Sequence, residues 1–259
     1  MAAHPDDIEF VMAGTLLLLR QAGWETHYLN LSSGNLGSLT RSPAQTARTR
    51  RREAQAAARL LGATWYAPFC SDLDIFYDRP TLRRVGAVIR VVAPTVILTH
   101  SPRDYMEDHM NVSRLTVTAA FARAIPGFRT SPARPPAGGD VTIYHAVPHG
   151  LRDQLRRRVA PGAFVDTTSV HEVKRAALAC HESQRVFLDE TQGMGSFVRT
   201  MDAFSEAVGK LSNAFRYAEG WRRHSHLGFC SEAADPLRDA LGNRYLISEE
   251  YERGLEAGL

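Results

Sequence analysis

The sequence predicts an α/β protein whose mostly parallel sheet is covered by helices on both faces. Segments with strand character alternate with helical segments as far as Val147, which is the order of an α/β fold. Several of the strand segments, P-T-V-I-L-T-H above all, lack polar alternation, as strands buried on both faces do. Polar residues gather where those strands should end, at His4 to Asp7, Ser32 to Ser38 and His100 to His109. Ligands of open α/β sheets bind beyond the carboxyl ends of the strands, so these three clusters mark one candidate rim.

The elements follow in order. Gly14 to Ala22 reads as a helix closed by Gly23, and W-E-T-H-Y-L-N-L as a strand running into the polar loop S-S-G-N-L-G. Arg48 to Leu61 has helical period and stops at Gly62. T-W-Y-A-P-F is a short strand, Leu82 to Val92 a helix, P-T-V-I-L-T-H a buried strand, Asn111 to Ala124 a helix and V-T-I-Y-H-A-V a strand. After Pro126 comes the loop T-S-P-A-R-P-P-A-G-G-D. H-E-V-K-R-A-A-L-A-C-H then reads as a helix, Thr191 to Gly195 as a polar break and Phe197 to Leu211 as a second helix. The tail G-W-R-R-H-S-H-L-G-F reads as extended or looped.

At 259 residues the chain is long enough for a real core and is expected to form a single domain over 1–259. No apolar run approaches the length of about 18 residues that a membrane span needs. The net charge of +3 is too small to imply nucleic acid, and the runs R-T-R-R-R and R-R-R read as solvated helix faces. Cys70, Cys180 and Cys230 form no C-x-x-C pair and read as reduced thiols. The titratable cluster at His4, Asp6 and Asp7 stands where the basic region of a signal peptide would be, so a cytoplasmic location is expected.

The opening M-A-A-H-P-D-D carries the most chemistry. If Pro5 starts a helical turn, His4 and Asp7 at i and i+3 point to one side and can share a divalent metal. D-Y-M-E-D-H, at the end of another strand, offers His109 as a third ligand. Two histidines and one aspartate with an open position suit catalytic zinc, and they also suit iron(II). Asp6 leaves the turn in another direction and is a natural general base. The alternative is a plain helix cap, with both aspartates on free backbone amides.

A-H-P-D-D-I-E-F followed by A-G-T-L resembles the opening of the LmbE-like, or PIG-L, family of metal-dependent de-N-acetylases. R-R-R-E-A-Q-A-A-A-R-L-L-G, P-T-V-I-L-T-H-S-P-R-D-Y-M-E-D-H, Y-H-A-V-P-H-G and K-R-A-A-L-A-C-H-E-S-Q continue the likeness through about residue 190. The resemblance implies a Rossmann-like three-layer fold, with a family-variable segment from about 190. It implies zinc-dependent hydrolysis of an N-acyl group, mostly N-acetyl, on a small-molecule amino-sugar conjugate. It places the metal ligands on His4, Asp7 and His109, the general base on Asp6, and a substrate-holding arginine on Arg50. Asp108 matches the aspartate that precedes the metal histidine, and a homo-oligomer is implied by resemblance only.

Two departures stand out. Many relatives read H-P-D-H where this chain reads M-E-D-H, so a thioether, Met106, replaces a proton-bearing histidine. The leaving amine needs a proton, and His149, His145, His181 and Tyr105 are the substitutes, with His149 in P-H-G favoured and His181 second. Relatives also carry an apolar strand before the opening motif, whereas Met-Ala-Ala precedes it here; the central strand is expected to be missing or severely shortened, through a trimmed or misassigned start or residues missing upstream, with stability suffering if the chain really begins here. Trp65, Tyr66, Phe76, Tyr77 and Trp221 are candidates for sugar stacking. Two rivals remain open. One is an amidase acting on a non-sugar or thiol-conjugate substrate, and the other is a catalytically silent carbohydrate- or metal-binding protein.

Overall fold

A computed structural model describes residues 1–192 and 197–257. The first half alternates as expected: α1 (Asp7–Val11), α2 (Ala13–Gln21), β1 (His27–Leu29), α3 (Pro43–Leu61), β2 (Thr64–Tyr66), α4 (Arg79–Val92), β3 (Val96–Thr99), α5 (Glu107–Phe121) and β4 (Thr142–Ala146). The second half is β5 (Ala163–Asp166), α6 (His171–Ala179), α7 (Glu182–Gln192), α8 (Phe197–Ser212), β6 (Ala218–Arg223), α9 (Pro236–Leu241), β7 (Tyr245–Ile247) and α10 (Glu249–Glu256). Local signals set the ends of the helices. Ser42 caps α3 in a reciprocal box with Gln45, Pro43 opens it, and Gly62 closes it in the left-handed conformation. The break expected at Thr191 to Gly195 is partly taken up by α7, which runs to Gln192, and the rest lies outside the described residues.

Three layers form because neighbouring strand residues face opposite ways. Tyr28, Leu98 and Tyr144 join a core with Leu18 of α2, Ala57 of α3 and Leu237 of α9. Leu29, Ile97 and Ile143 join a second core with Ile89 of α4 and Leu115 of α5. All five residues of β4 are buried, which explains its lack of polar alternation.

The sheet is mixed rather than mostly parallel. β1 pairs with β2 and β3 with β4 in parallel, but β4–β6, β6–β5 and β5–β7 are antiparallel. The tail read as extended or looped is the source of this difference. Its residues Gly220 to Arg223 belong to β6, which lies between β4 and β5 in the order β3-β4-β6-β5-β7. Trp221 is fully buried there and donates from Nε1 to Thr15 Oγ1 (3.0 Å).

Residues Met1 to Ala3 take the central position between β1 and β3. Ala2 N–H donates to Leu29 O (3.0 Å), Leu31 N–H to Ala2 O (2.9 Å), and the Met1 ammonium to Leu98 O (2.7 Å). This position holds an isolated bridge, Ala2 against Asn30. Beside it lies an apolar cavity of about 290 Å³, lined by Met1, Met12, Leu19, Tyr28, Ile89 and Leu98 among others.

Candidate metal centre and catalytic cavity

The H-P-D-D stretch folds as a tight turn into α1, not as the first turn of the helix itself. Asp7 N–H donates to His4 O (3.2 Å), and Asp7 Oδ2 accepts from His4 N–H (2.6 Å). Asn30 Nδ2 at the end of β1 holds His4 O (2.6 Å). Asp6 sits at φ 110°, a strained backbone for a non-glycine residue, and such strain persists only where the surroundings hold it. The turn brings His4 Nδ1 to 3.4 Å from Asp7 Oδ2, and α5 brings His109 Nε2 to 3.4 Å from Asp7 Oδ1.

The other nitrogen of each imidazole meets a further carboxylate. His4 Nε2 lies 2.9 Å from Asp108 Oδ2, and His109 Nδ1 lies 3.0 Å from Asp104 Oδ1. That leaves His4 Nδ1, the Asp7 carboxylate and His109 Nε2 facing one another. Carboxylates behind metal-bound histidines fix the tautomer and ring orientation in this way. Among the described residues, His4, Asp7 and His109 form one of two groups whose ligand atoms all lie within 4.8 Å of one another. The second, His100 with Asp104 and His109, is already engaged internally. Its His100 Nε2 accepts Ala3 N–H (3.0 Å), and Asp104 holds His109 Nδ1. The first group therefore fits a divalent metal by donor type, convergence and support.

Electrostatics agree with this fit. Burial disfavours the Asp7 carboxylate, but the charges of His109 and His100 outweigh it and hold its pKa well below the usual range. Burial likewise opposes protonation of His4 and His109. Asp108 and Asp7 overcome it at His4, raising its pKa to about 9. Asp7 and Asp104 overcome it at His109, raising its pKa to about 10. Without metal, protons occupy the positions that a cation would neutralise.

Asp6 stands beside this group. Arg50, on α3, donates from Nη2 to Asp6 Oδ2 (3.0 Å) and to Pro5 O, and from Nη1 to Gln184 Oε1 (2.6 Å). It lines the cavity yet is only 2 % exposed, so its guanidinium serves Asp6 more than the open space. Gly34, at φ 69°, makes room for it: a Cβ there would lie 2.6 Å from Arg50 Cδ. Burial raises the Asp6 pKa, Arg50 opposes that and Asp7 adds to it, for a value of about 6.

The cavity of about 400 Å³ is lined by His4, Asp6, Asp7, His109, Arg50 and also by Tyr105, Met106 and His149. Tyr105 packs edge-on against His109 (5.5 Å between ring centroids) and faces His149 at 6.5 Å. The His149 ring also touches Phe10 (5.0 Å) and Phe204 (5.3 Å), burial lowers its pKa, and among the described residues its Nδ1 has no partner. His181 is not brought to the cavity. It is fully buried, with Nε2 3.4 Å from Glu9 Oε2, in a pocket that also holds the Tyr28 hydroxyl against Glu9. Asp108 faces His4 and the Leu73 amide (2.9 Å) and is absent from the described cavity lining. None of Trp65, Tyr66, Phe76, Tyr77 and Trp221 lines the cavity; Phe10, Tyr105, Phe187 and Phe197 do.

Sequence reasoning passed over His100 and Asp104. Asp104 lies five residues before His109, and only the bend between β3 and α5 makes that spacing a contact. His100 was visible as a histidine ending a buried strand, but its stacking on His109 (4.0 Å, 5°) depends on the fold.

Known proteins align with this architecture. The sequence pattern of the family described as GlcNAc-PI de-N-acetylase, PIG-L, matches residues 1–120. Diacetylchitobiose deacetylase of Thermococcus kodakarensis is 30% identical over 226 residues, 85% of this chain and 79% of that protein. This chain belongs to the PIG-L, or LmbE-like, family. Another relative is 4-oxalmesaconate hydratase of Pseudomonas putida KT2440, 31% identical over 192 residues, 71% of this chain and 72% of that protein. The structure of N,N'-diacetylchitobiose deacetylase from Pyrococcus horikoshii superposes with TM-score 0.73 at 24% identity, covering 87% of this chain and 82% of that chain, and carries the fold comparison. This PIG-L chain thus has relatives named for two chemistries, and its own cavity must discriminate between them. Among the described residues, no helix is long and apolar enough to cross a membrane.

Proposed function

We propose that this protein is a metal-dependent amide hydrolase that removes an N-acyl group, most simply N-acetyl, from an amino-sugar-containing small molecule. The carrying observation is the convergence of His4 Nδ1, Asp7 and His109 Nε2 in a cavity that also contains Asp6. A divalent ion held by those three residues, zinc being the natural choice and iron(II) a second, supplies Lewis-acid polarisation of the acyl carbonyl and acidifies water.

The chain's own residues supply the proton transfers. Asp6, with a pKa near 6, is ionised at neutral pH and takes the proton of the attacking water. Arg50 holds it in place through Nη2. Attack makes the carbonyl carbon tetrahedral, and the C–N bond breaks only when the amine receives a proton. Asp6, now protonated, returns that proton. His149, kept neutral by burial, donates a hydrogen bond to the oxyanion in place of the histidine that Met106 displaces. Tyr105 packs between His109 and His149 at the cavity wall. Asp108 and Asp104 orient the metal histidines.

A hydratase reading is motivated by the Pseudomonas relative. The cavity weighs against a carboxylate-rich substrate. Among its described lining residues Arg50 is the one Lys or Arg, and its guanidinium is spent on Asp6, Pro5 and Gln184. The test is amine release from a panel of N-acetylated amino sugars and other N-acyl amines, with hydration of an unsaturated polycarboxylate run in parallel. Amine release without hydration supports the proposal, and the reverse overturns it.

A further inference from the structure

His4, Asp6, Asp7 and His109 line the cavity together with Leu36, Leu73, Tyr105, Met106, Phe187 and Leu188, and the exposed members of the second group mark its mouth; Asp72 and Gln184 add polar groups to the lining. Three of these are open to solvent: Leu36 is 47% exposed, Leu73 68% and Tyr105 48%.

Leu73 is held at that mouth against its own backbone preference. Its φ is 64°, the left-handed region that glycine and asparagine enter readily and leucine does not. The N–H of Leu73 donates to Asp108 Oδ2 (2.9 Å), the same oxygen that meets His4 Nε2. Leu36 is pinned similarly, its N–H donating to Asp72 Oδ2 (2.8 Å), with Ser32 Oγ on the other oxygen. Two loops thus present leucine side chains beside the metal ligands through charge-assisted bonds. Among the described residues, no burial repays the left-handed leucine. The one guanidinium of the described lining is consumed internally, so the mouth offers no described Lys or Arg to an anionic group.

We infer that this mouth is a hydrophobic subsite and that the substrate is an N-acyl amine bearing an alkyl or aryl group close to the scissile amide, not a bare hydrophilic oligosaccharide. The inference rests on the amide-hydrolysis reading for the word amine, and on the mouth alone for the apolar group. The alkyl group can enter on the acyl side or on the leaving-amine side, and the two are separable by the choice of probe.

The experiment uses three probes: N-acetylglucosamine, N-octanoylglucosamine and octyl N-acetylglucosaminide. Binding is measured by calorimetry on zinc-loaded Asp6→Asn, and amine release on the wild type. At least one octyl probe should bind about tenfold or more tightly than N-acetylglucosamine, because each buried methylene adds to the transfer free energy. Which octyl probe gains identifies the side. Leu73→Asn, introduced in both backgrounds, should remove most of that gain and leave N-acetylglucosamine binding nearly unchanged. Asparagine suits the left-handed backbone, so the melting temperature should hold or rise, which separates lost contact from lost fold. Equal binding of all three probes overturns the inference, as does an octyl preference that survives Leu73→Asn. Amine release with no octyl preference leaves the hydrolase standing and sinks the subsite. An octyl preference with no amine release from any probe does the opposite.

Discussion

Replacing Asp104 with asparagine tests the construction of the metal centre at a residue that no motif singles out. Asp104 Oδ1 accepts from His109 Nδ1–H (3.0 Å) and from the Met106 amide (3.1 Å), so one oxygen fixes both the metal histidine and the start of α5. Asparagine keeps the size and one acceptor but removes the charge. It weakens the bond that keeps the His109 proton on Nδ1 and the lone pair on Nε2, the atom facing Asp7. Loss of such a supporting carboxylate costs roughly 10- to 100-fold in metal affinity, or about 1.4–2.7 kcal/mol. The assay is zinc competition against a chromophoric chelator, with melting curves of the metal-free protein as a folding control. Zinc affinity within about twofold of wild type, in a variant that melts normally, would refute the reasoning.

Two other perturbations probe the account. Glu219 carries Lys174 Nζ (2.7 Å) and the amides of Gly14 (2.8 Å) and Thr15 (2.7 Å) in the core, so Glu219→Ala should destabilise by about 3–5 kcal/mol in a denaturant titration; a loss near 1 kcal/mol would mean water relieves the stranded ammonium. His4 and His109 have folded pKa values of about 9 and about 10, above the unfolded value of 6.5. Their protons stabilise the metal-free fold fully below about 6.5, and that stability is lost as pH rises through about 9 to 10. Zinc must displace the same protons, so its apparent affinity should climb from pH 6 to 9, and a flat calorimetric profile would contradict the assignment.

The candidate ligands His4 and Asp7 were legible because they stand three residues apart in one turn, which brings them together locally. His109 was legible as the histidine of a second polar cluster after a buried strand. The helices and parallel strands of the first half were legible because apolar period and capping residues agree, as at Ser42 and Gly62. Long-range electrostatics were not. His181 reads from the sequence as a substitute proton donor, whereas Glu9, far away in sequence, lies against it at 3.4 Å. The tail W-R-R-H read only as extended or looped, because its place in the sheet depends on distant partners: Arg222 donates to Ala160 O (2.6 Å) and Arg223 to Ala234 O (2.7 Å), which lets a charged segment run through the sheet. Arg50 was legible as a site residue, but its attachment to Asp6 depends on the close approach that Gly34 permits.

The most direct test of the central claim compares wild type with Asp6→Asn for metal content and for amine release from N-acetylated amino sugars. The account predicts about one divalent ion per chain in both proteins and a turnover loss in the variant of about 100-fold or more. Full activity in Asp6→Asn, or turnover by the wild type after complete metal removal, would contradict it.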